Sequence, residues 1–214
     1  MRLIVIAKSP VPGRSKTRLC PPCTPQEAAR AAEASLEDTL DACRGAGVDD
    51  RVLALDGAPG AWARGFRVIA QRGTGLDERI ANAFADAGPE RDGVLLVGMD
   101  TPQVTSELLD SATGTLRTSG VDGVLGPATD GGWWAMGLRR PITAHVVGVP
   151  MSSPQTLPFQ RERWDRLGVR RVELPQLTDI DTFEDARAVA ALIPRSRTAV
   201  VVDDLSRRMA APSW

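Results

Sequence analysis

Leu3-Ile-Val-Ile-Ala7 runs directly into Lys8-Ser-Pro-Val-Pro-Gly-Arg-Ser-Lys-Thr-Arg18. Five apolar residues in a row read as a buried strand. The residues that follow put Lys8, Arg14, Lys16 and Arg18 on one short loop at that strand's carboxyl end. In α/β proteins, ligands lie outside the carboxyl ends of the strands. Four cations gathered there, around a Gly13 that lets the backbone approach closely, suit a phosphate-rich ligand. The loop is neither of the common glycine-rich phosphate motifs. It lacks G-x-G-x-x-G, and it lacks the paired glycines of a Walker A loop. Taken by itself, a solvated basic turn is the plainer alternative.

The rest of the chain supplies the α/β setting. Thr24-Pro-Gln-Glu27 has the makings of a capping box with proline in the first turn, and Ala28, Ala32, Leu36, Leu40 and Cys43 recur at helical spacing until Gly45 and Gly47. Short strands are expected over Arg51–Leu55 and Phe66–Ala70. A helix is expected over Leu76–Ala87, ending at Gly88-Pro89. Gly93-Val-Leu-Leu-Val-Gly98 reads as a fully buried strand. A helix from Thr105 to about Thr118 follows, then strands at Gly123–Gly126 and Trp133–Leu138. Pro154–Leu167 reads as a helix and Arg170–Leu174 as a late strand. Thr182-Phe-Glu-Asp185 is a second capping box, opening a helix that Pro194 stops. Strands alternate with helices up to residue 118, which predicts a largely parallel sheet; the later strands break the rhythm and make it mixed. The expected organisation is one domain over 1–194 and a C-terminal tail over 195–214, whose apolar patch Ala199–Val202 has no place assigned by the pattern.

Composition narrows the function. A chain of 214 residues supports one sizeable core rather than two. The net charge of −1 offers no global basic field for DNA or RNA, so the loop's charge is local and suits a small anion. No apolar run approaches the roughly 20 residues of a membrane span. Leu3–Ala7 is too short for a signal-peptide core, so a cytoplasmic protein is expected. Three cysteines do not make a disulfide framework, and Cys20-Pro-Pro-Cys23 lacks the context of a redox or zinc site when His145 is the single histidine.

Acidic residues stand at strand ends and turns. Asp100 follows the most apolar strand in Val97-Gly-Met-Asp-Thr-Pro102. Asp130 sits in the turn Pro127-Ala-Thr-Asp-Gly-Gly132. Asp179 and Asp181 precede the second capping box. Magnesium and manganese prefer hard oxygen ligands, and magnesium commonly takes one or two carboxylates plus phosphate oxygens and water. Asp100 with Asp179 or Asp181 could supply that pair, opposite phosphates gripped by Arg14, Lys16 and Arg18. Asp130 alone is also ordinary turn chemistry, and Asp181 is also a favoured helix-entry residue.

Five segments in order, A-K-S-P-V-P-G-R-S-K-T-R-L, R-G-T-G-L-D-E-R, G-M-D-T-P, G-P-A-T-D-G-G-W-W and D-I-D-T-F-E-D, resemble the stand-alone GT-A-fold transferases. That family is usually labelled glycosyltransferase-like and is similar to 2-phospho-L-lactate guanylyltransferase and molybdenum-cofactor guanylyltransferase. The resemblance spans residues 2 to about 193. It implies a three-layer, Rossmann-like GT-A fold with a mixed, mostly parallel sheet. It further implies that Lys8, Gly13, Arg14, Lys16 and Arg18 hold nucleotide phosphates, and that Asp100, Asp179 and Asp181 bind Mg2+ or Mn2+. Asp130, Gly131, Gly132 and Trp134 would border the acceptor, and Arg72–Arg79 would lie near the base or sugar. Where relatives tend to carry a Phe and a Trp, this chain reads His145–Ser153, so the acceptor does not transfer with the family. Trp133 and Trp134, being adjacent in a strand, should face opposite ways.

Two reactions fit these residues. In nucleotidyl transfer, a phosphorylated acceptor attacks the α-phosphate of a nucleoside triphosphate and pyrophosphate leaves. This needs alignment and charge neutralisation from Lys16, Arg18 and a metal on Asp100, with no general base. In glycosyl transfer from a nucleotide sugar, the same metal would stabilise a leaving diphosphate, and Asp130 would be the candidate base. Four loop cations favour the first. A nucleotide-binding module without catalysis is the third reading, and the complete set of aspartates speaks against it.

Overall fold

The computed structural model describes residues 1–88 and 92–210. Seven strands form one sheet: β1 (Arg2–Lys8), β2 (Asp50–Asp56), β3 (Arg67–Ala70), β4 (Val94–Val97), β5 (Gly123–Pro127), β6 (Trp133–Leu138) and β7 (Arg171–Glu173). Their order is β3-β2-β1-β4-β6-β5-β7. Strand β6 runs antiparallel to both its neighbours, and every other pairing is parallel. The sheet is therefore mixed and mostly parallel, as the sequence rhythm predicts.

Six helices accompany it: α1 (Pro25–Gly45), α2 (Leu76–Ala87), α3 (Ser106–Arg117), α4 (Thr156–Arg166), α5 (Phe183–Leu192) and α6 (Arg197–Ala210). Alternate residues of the central strands face opposite layers, as the two-residue period of a strand dictates. Leu3, Val5, Leu95 and Val97 pack with Leu36, Leu40, Leu109 and Leu116 of α1 and α3. Ile4, Val94 and Leu96 pack with Ile80 and Phe84 of α2 and with Leu157 and Trp164 of α4. Both sheet faces are buried, which gives three layers and explains the uninterrupted apolar runs of β1 and β4.

Both anticipated capping boxes form. The Thr24 hydroxyl accepts from the Glu27 amide, and Glu27 accepts from the Thr24 amide at 2.8 Å. Thr182 and Asp185 repeat the exchange at the start of α5. Asp185 is thereby committed to capping, and Asp181 is not. Helix α2 ends at Ala87; Pro89 of its anticipated stop signal lies outside the described residues.

The tail turns out to be largely helical. Arg197–Ala210 forms α6, which lies on α1 and α5, while residues 211–214 lie outside the described set. Ala199, Val202 and Leu205 are buried at helical spacing in a third cluster with Ala28, Ala31, Ala186 and Val189. Arg197 ion-pairs with Glu37, Asp38 and Asp41 of α1. The same cluster holds Leu19 and Ile180, which are flanked by the basic loop and the late acidic motif respectively.

Candidate functional site

The sheet order places β1 between β2 and β4, so the connections leaving β1 and β2 go one way and that leaving β4 the other. This reversal opens a crevice at the carboxyl ends of β1 and β4, where such sheets bind ligands. The basic loop leaves β1 there and Asp100 follows β4.

The loop is fastened from within. Ser15 is buried, donates its hydroxyl to the Ser9 carbonyl at 3.0 Å and accepts from the Val11 amide at 3.1 Å. Gly13 sits at φ +75°, a left-handed turn that favours glycine. Leu19 anchors the far end in the third core cluster. Side chains pinned inward at Ser15 and Leu19 leave Lys8, Arg14 and Arg18 turned outward and exposed.

The late acidic motif is clipped to Asp100 by backbone bonds. The Ile180 amide donates to the Asp100 carbonyl at 2.9 Å, and Gln103 Nε2 donates to the Thr178 carbonyl at 2.7 Å. Residues far apart in sequence thus become neighbours. Lys16 Nζ stands 2.8 Å from Asp100 Oδ1 and 3.6 Å from Asp181 Oδ1, and donates to the Ile180 carbonyl. Arg18 Nη1 reaches Asp181 Oδ2 at 2.9 Å. Lys8 and Arg14 have no ion-pair partner among the described residues.

Asp179 is the most perturbed acid. Burial, reinforced by the negative charges of Asp130, Asp100 and Asp181 and only partly opposed by Lys16, pushes its carboxyl up to about 7. The three carboxylates Asp100, Asp179 and Asp181 outnumber the two cations in contact with the cluster, Lys16 and Arg18. Its donors are all carboxylate oxygens, the chemistry that magnesium and manganese prefer. Among the described residues, no three acidic, histidine or cysteine side chains form a ready-made metal cage. A cation here would hold one or two carboxylates and complete its shell elsewhere.

These groups border one cleft of about 910 Å3. Lys8, Arg14, Lys16, Arg18, Asp100, Asp130, Gly132, Trp134, Asp179 and Asp181 all line it. Gly13 and Gly131 do not. Gly131 sits at φ +88°, and a Cβ there would overlap the Pro154 backbone, so glycine allows the D-G-G turn to seat against the start of α4. Asp130 Oδ1 accepts from the Gly132 amide at 2.7 Å, which is turn chemistry with the carboxylate still exposed. The two tryptophans do face opposite ways. Trp134 borders the cleft, but its indole is only 1% exposed in the core and donates to the Pro175 carbonyl. Trp133 packs on the other face, against the α2–α4 core, and is the more exposed of the two.

Several cleft residues escaped the sequence reading. Gln71, Thr101, Ser152, Ser153 and Thr156 all line it. Gln71 Nε2 donates to the carbonyls of Ala7 and Ala54, locking its amide across β1 and β2. Its position just past the expected strand Phe66–Ala70 was the available signal. Within the 72–79 segment, Thr74 and Arg79 line the cleft, whereas Arg72 turns away to Asp86. His145 and the cysteines take no part. His145 Nδ1 accepts from the Ile142 amide. Burial pushes Cys23 up to about 11 and Cys43 to about 12, so neither carries a thiolate at neutral pH.

Residues 27–153 match the family described as an uncharacterized protein conserved in bacteria (DUF2064). The chain belongs to that family. Along 92% of its length it is 34% identical to a 3-phospho-D-glycerate guanylyltransferase of Phenylobacterium zucineum (strain HLK1), covering 94% of that protein. Among solved structures, it superposes on a protein of Desulfovibrio desulfuricans G20 designated a nucleotide-diphospho-sugar transferase, with a TM-score of 0.85 and 24% identity, covering 96% of this chain and 95% of the other. It also resembles glucosyl-3-phosphoglycerate synthase of Mycobacterium tuberculosis, solved with Mn2+, UDP and glucosyl-3-phosphoglycerate. There the TM-score is 0.53 and the identity 14%, covering 91% of this chain and 79% of that one. The DUF2064 chain described here thus has the nucleotide-diphospho-sugar transferase (GT-A-like) fold and is a transferase related to guanylyltransferases. No helix among its described residues is long and apolar enough to cross a membrane.

Proposed function

We propose that this DUF2064 protein is a metal-dependent nucleotidyltransferase that moves a nucleoside monophosphate from a triphosphate to a small phosphorylated acceptor. The observation that carries the proposal is the meeting of Lys16 and Arg18 with Asp100 and Asp181 in one cleft, with Lys8 and Arg14 unpaired beside them. Four cations on one loop are more than a diphosphate leaving group with its metal needs, and suit the larger charge of a triphosphate. The 34% identical guanylyltransferase supports the same reading and makes GTP and 3-phospho-D-glycerate the first substrates to test.

Lys16 and Arg18 hold the phosphates at the reacting end, and Lys8 and Arg14 hold the trailing pair. An oxygen of the acceptor phosphate forms a bond to the α-phosphorus as the bond to the β-phosphate oxygen breaks, and pyrophosphate departs. That acceptor oxygen is already ionised near neutral pH, so no side chain has to remove a proton. Asp100, with Asp179 or Asp181, would hold a divalent cation, Mg2+ or Mn2+, which when bound supplies charge neutralisation to the phosphates. Asp130, Gly132 and Trp133, which line the cleft, face the acceptor, and Trp134 acts from the core beneath them. Catalysis in this scheme is positioning and electrostatics.

Incubation with GTP, Mg2+ and 3-phospho-D-glycerate tests it. Pyrophosphate released only when both substrates are present supports nucleotidyl transfer. Free nucleoside diphosphate from a nucleotide sugar, without pyrophosphate, establishes glycosyl transfer instead.

A further inference from the structure

Lys16 differs from the other loop cations. Its side chain is only 9% exposed, against 69% for Arg18. Its ammonium lies among the carboxylates, 2.8 Å from Asp100 Oδ1 and 3.6 Å from Asp181 Oδ1, with the Ile180 carbonyl as a third oxygen partner. Its backbone is left-handed, at φ 50° and ψ 41°, which non-glycine residues adopt uncommonly. An unfavourable backbone persists where surrounding contacts over-determine it; here the Lys16 carbonyl accepts from the Leu19 amide at 3.0 Å, between buried Ser15 and Leu19, and the ammonium is held at the other end of the side chain.

We propose that Lys16 is an internal counter-ion that takes the cation seat of the acidic cluster, and yields it to a divalent cation when a nucleotide's phosphates draw its ammonium away. The proposal rests on reading Asp100, Asp179 and Asp181 as cation ligands. Two features support it. First, the two cations compete: an ammonium 2.8 Å from Asp100 Oδ1 and 3.6 Å from Asp181 Oδ1 already neutralises part of the charge that would attract a divalent ion, and repels that ion from the same carboxylates. Second, Lys16 has somewhere to go. A lysine ammonium is a compact charge on a flexible stem, and Arg14 and Arg18 line the same cleft, ready to hold phosphates within its reach. The consequence is ordered loading. Without nucleotide the acidic cluster discriminates against free metal, and nucleotide and metal enter together.

The full chain, freed of metal, is titrated with Mn2+ alone and free Mn2+ is followed by electron paramagnetic resonance. Wild type, Lys16→Met and Arg14→Met are compared; the last removes one loop charge that has no carboxylate partner. Lys16→Met is expected to bind Mn2+ at least about tenfold more tightly than wild type, and Arg14→Met to gain less than about threefold, because only Lys16 is coupled directly to the metal seat. Equal affinity in wild type and Lys16→Met overturns the proposal. So does an equal gain in both variants, which would mark a general charge effect. If no protein binds Mn2+, the reading of the aspartates as ligands fails and the counter-ion role falls with it. Should Lys16→Met fold poorly, Lys16→Asn replaces it, since asparagine tolerates the left-handed backbone.

Discussion

Replacing Asp179 by Asn should stabilise the metal-free protein while abolishing its transfer activity. The Asp179 carboxyl titrates near 3.8 in an unfolded chain and at about 7 in the folded cleft. Between those values the folded state binds the extra proton, so this group's contribution falls as pH rises from about 4 and levels off above about 7. A difference of about three pH units, at about 1.4 kcal/mol per unit, amounts to a penalty of up to about 4 kcal/mol at pH 8. At pH 5 only about 2 kcal/mol of it has accrued, because the unfolded carboxyl has ionised by little more than one unit. Asn carries no charge and escapes the penalty. For a chain of this size each kcal/mol shifts the melting temperature by about 2–4 °C, so Asp179→Asn should melt up to about 8–16 °C above wild type at pH 8, and by about half that margin at pH 5. The assay is thermal unfolding in a chelator at the two pH values, with pyrophosphate release measured separately. Identical melting at pH 8 would refute the electrostatic argument, as would a margin that does not shrink at pH 5. Full activity in the variant would remove Asp179 from the site.

Three other outcomes follow from the same geometry. Arg18→Ala loses an exposed ion pair with Asp181, so urea unfolding should show a change within about 1 kcal/mol, while kcat/KM falls at least about a hundredfold, the scale of losing one preorganised charge partner. Gly131→Ala places a Cβ against the Pro154 backbone at φ +88°; a loss of at least about 2 kcal/mol in chemical denaturation is expected, and an unchanged midpoint would mean that the turn and the start of α4 are not in contact. Leu205→Ala empties a buried position in the cluster that also holds Leu19 and Ile180. It should cost about 2–4 kcal/mol in calorimetry, with raised exposure of the basic loop to limited proteolysis; unaltered proteolysis would separate α6 from the site.

Much of this was legible in the chain. The strand-to-loop junction at Ala7–Lys8 and the apolar run before Asp100 are strong signals because both strands are buried on two faces, and burial writes itself into consecutive residues. The capping boxes at Thr24 and Thr182 are local and were readable for that reason. The pattern set Asp181 and Lys16 on opposite sides of a bound phosphate, whereas they touch directly: that contact depends on the Ile180–Asp100 backbone bond, which no periodicity encodes. Helix α6 was missed because Ala199–Val202 looks like one patch, although Val200 is 63% exposed and the buried set is Ala199, Val202 and Leu205. The Ser196 hydroxyl accepts from the Ala199 amide at 2.9 Å, so a start signal stood in the sequence unread. Gln71 stands at the carboxyl end of β3 as Lys8 does at that of β1, but as an uncharged amide it has only that position, and no charge, to mark it in the sequence.

The central claim is that one polyphosphate is gripped by the basic loop from one side and by a cation on the aspartates from the other. Anomalous diffraction from crystals grown with Mn2+ and a non-hydrolysable GTP analogue addresses it directly. A manganese peak bonded to an oxygen of Asp100 and to an oxygen of Asp179 or Asp181, with Lys16 and Arg18 on the phosphates, is the predicted result. A nucleotide bound with its phosphates away from Lys16 and Arg18, or a manganese peak remote from those aspartates, would contradict it.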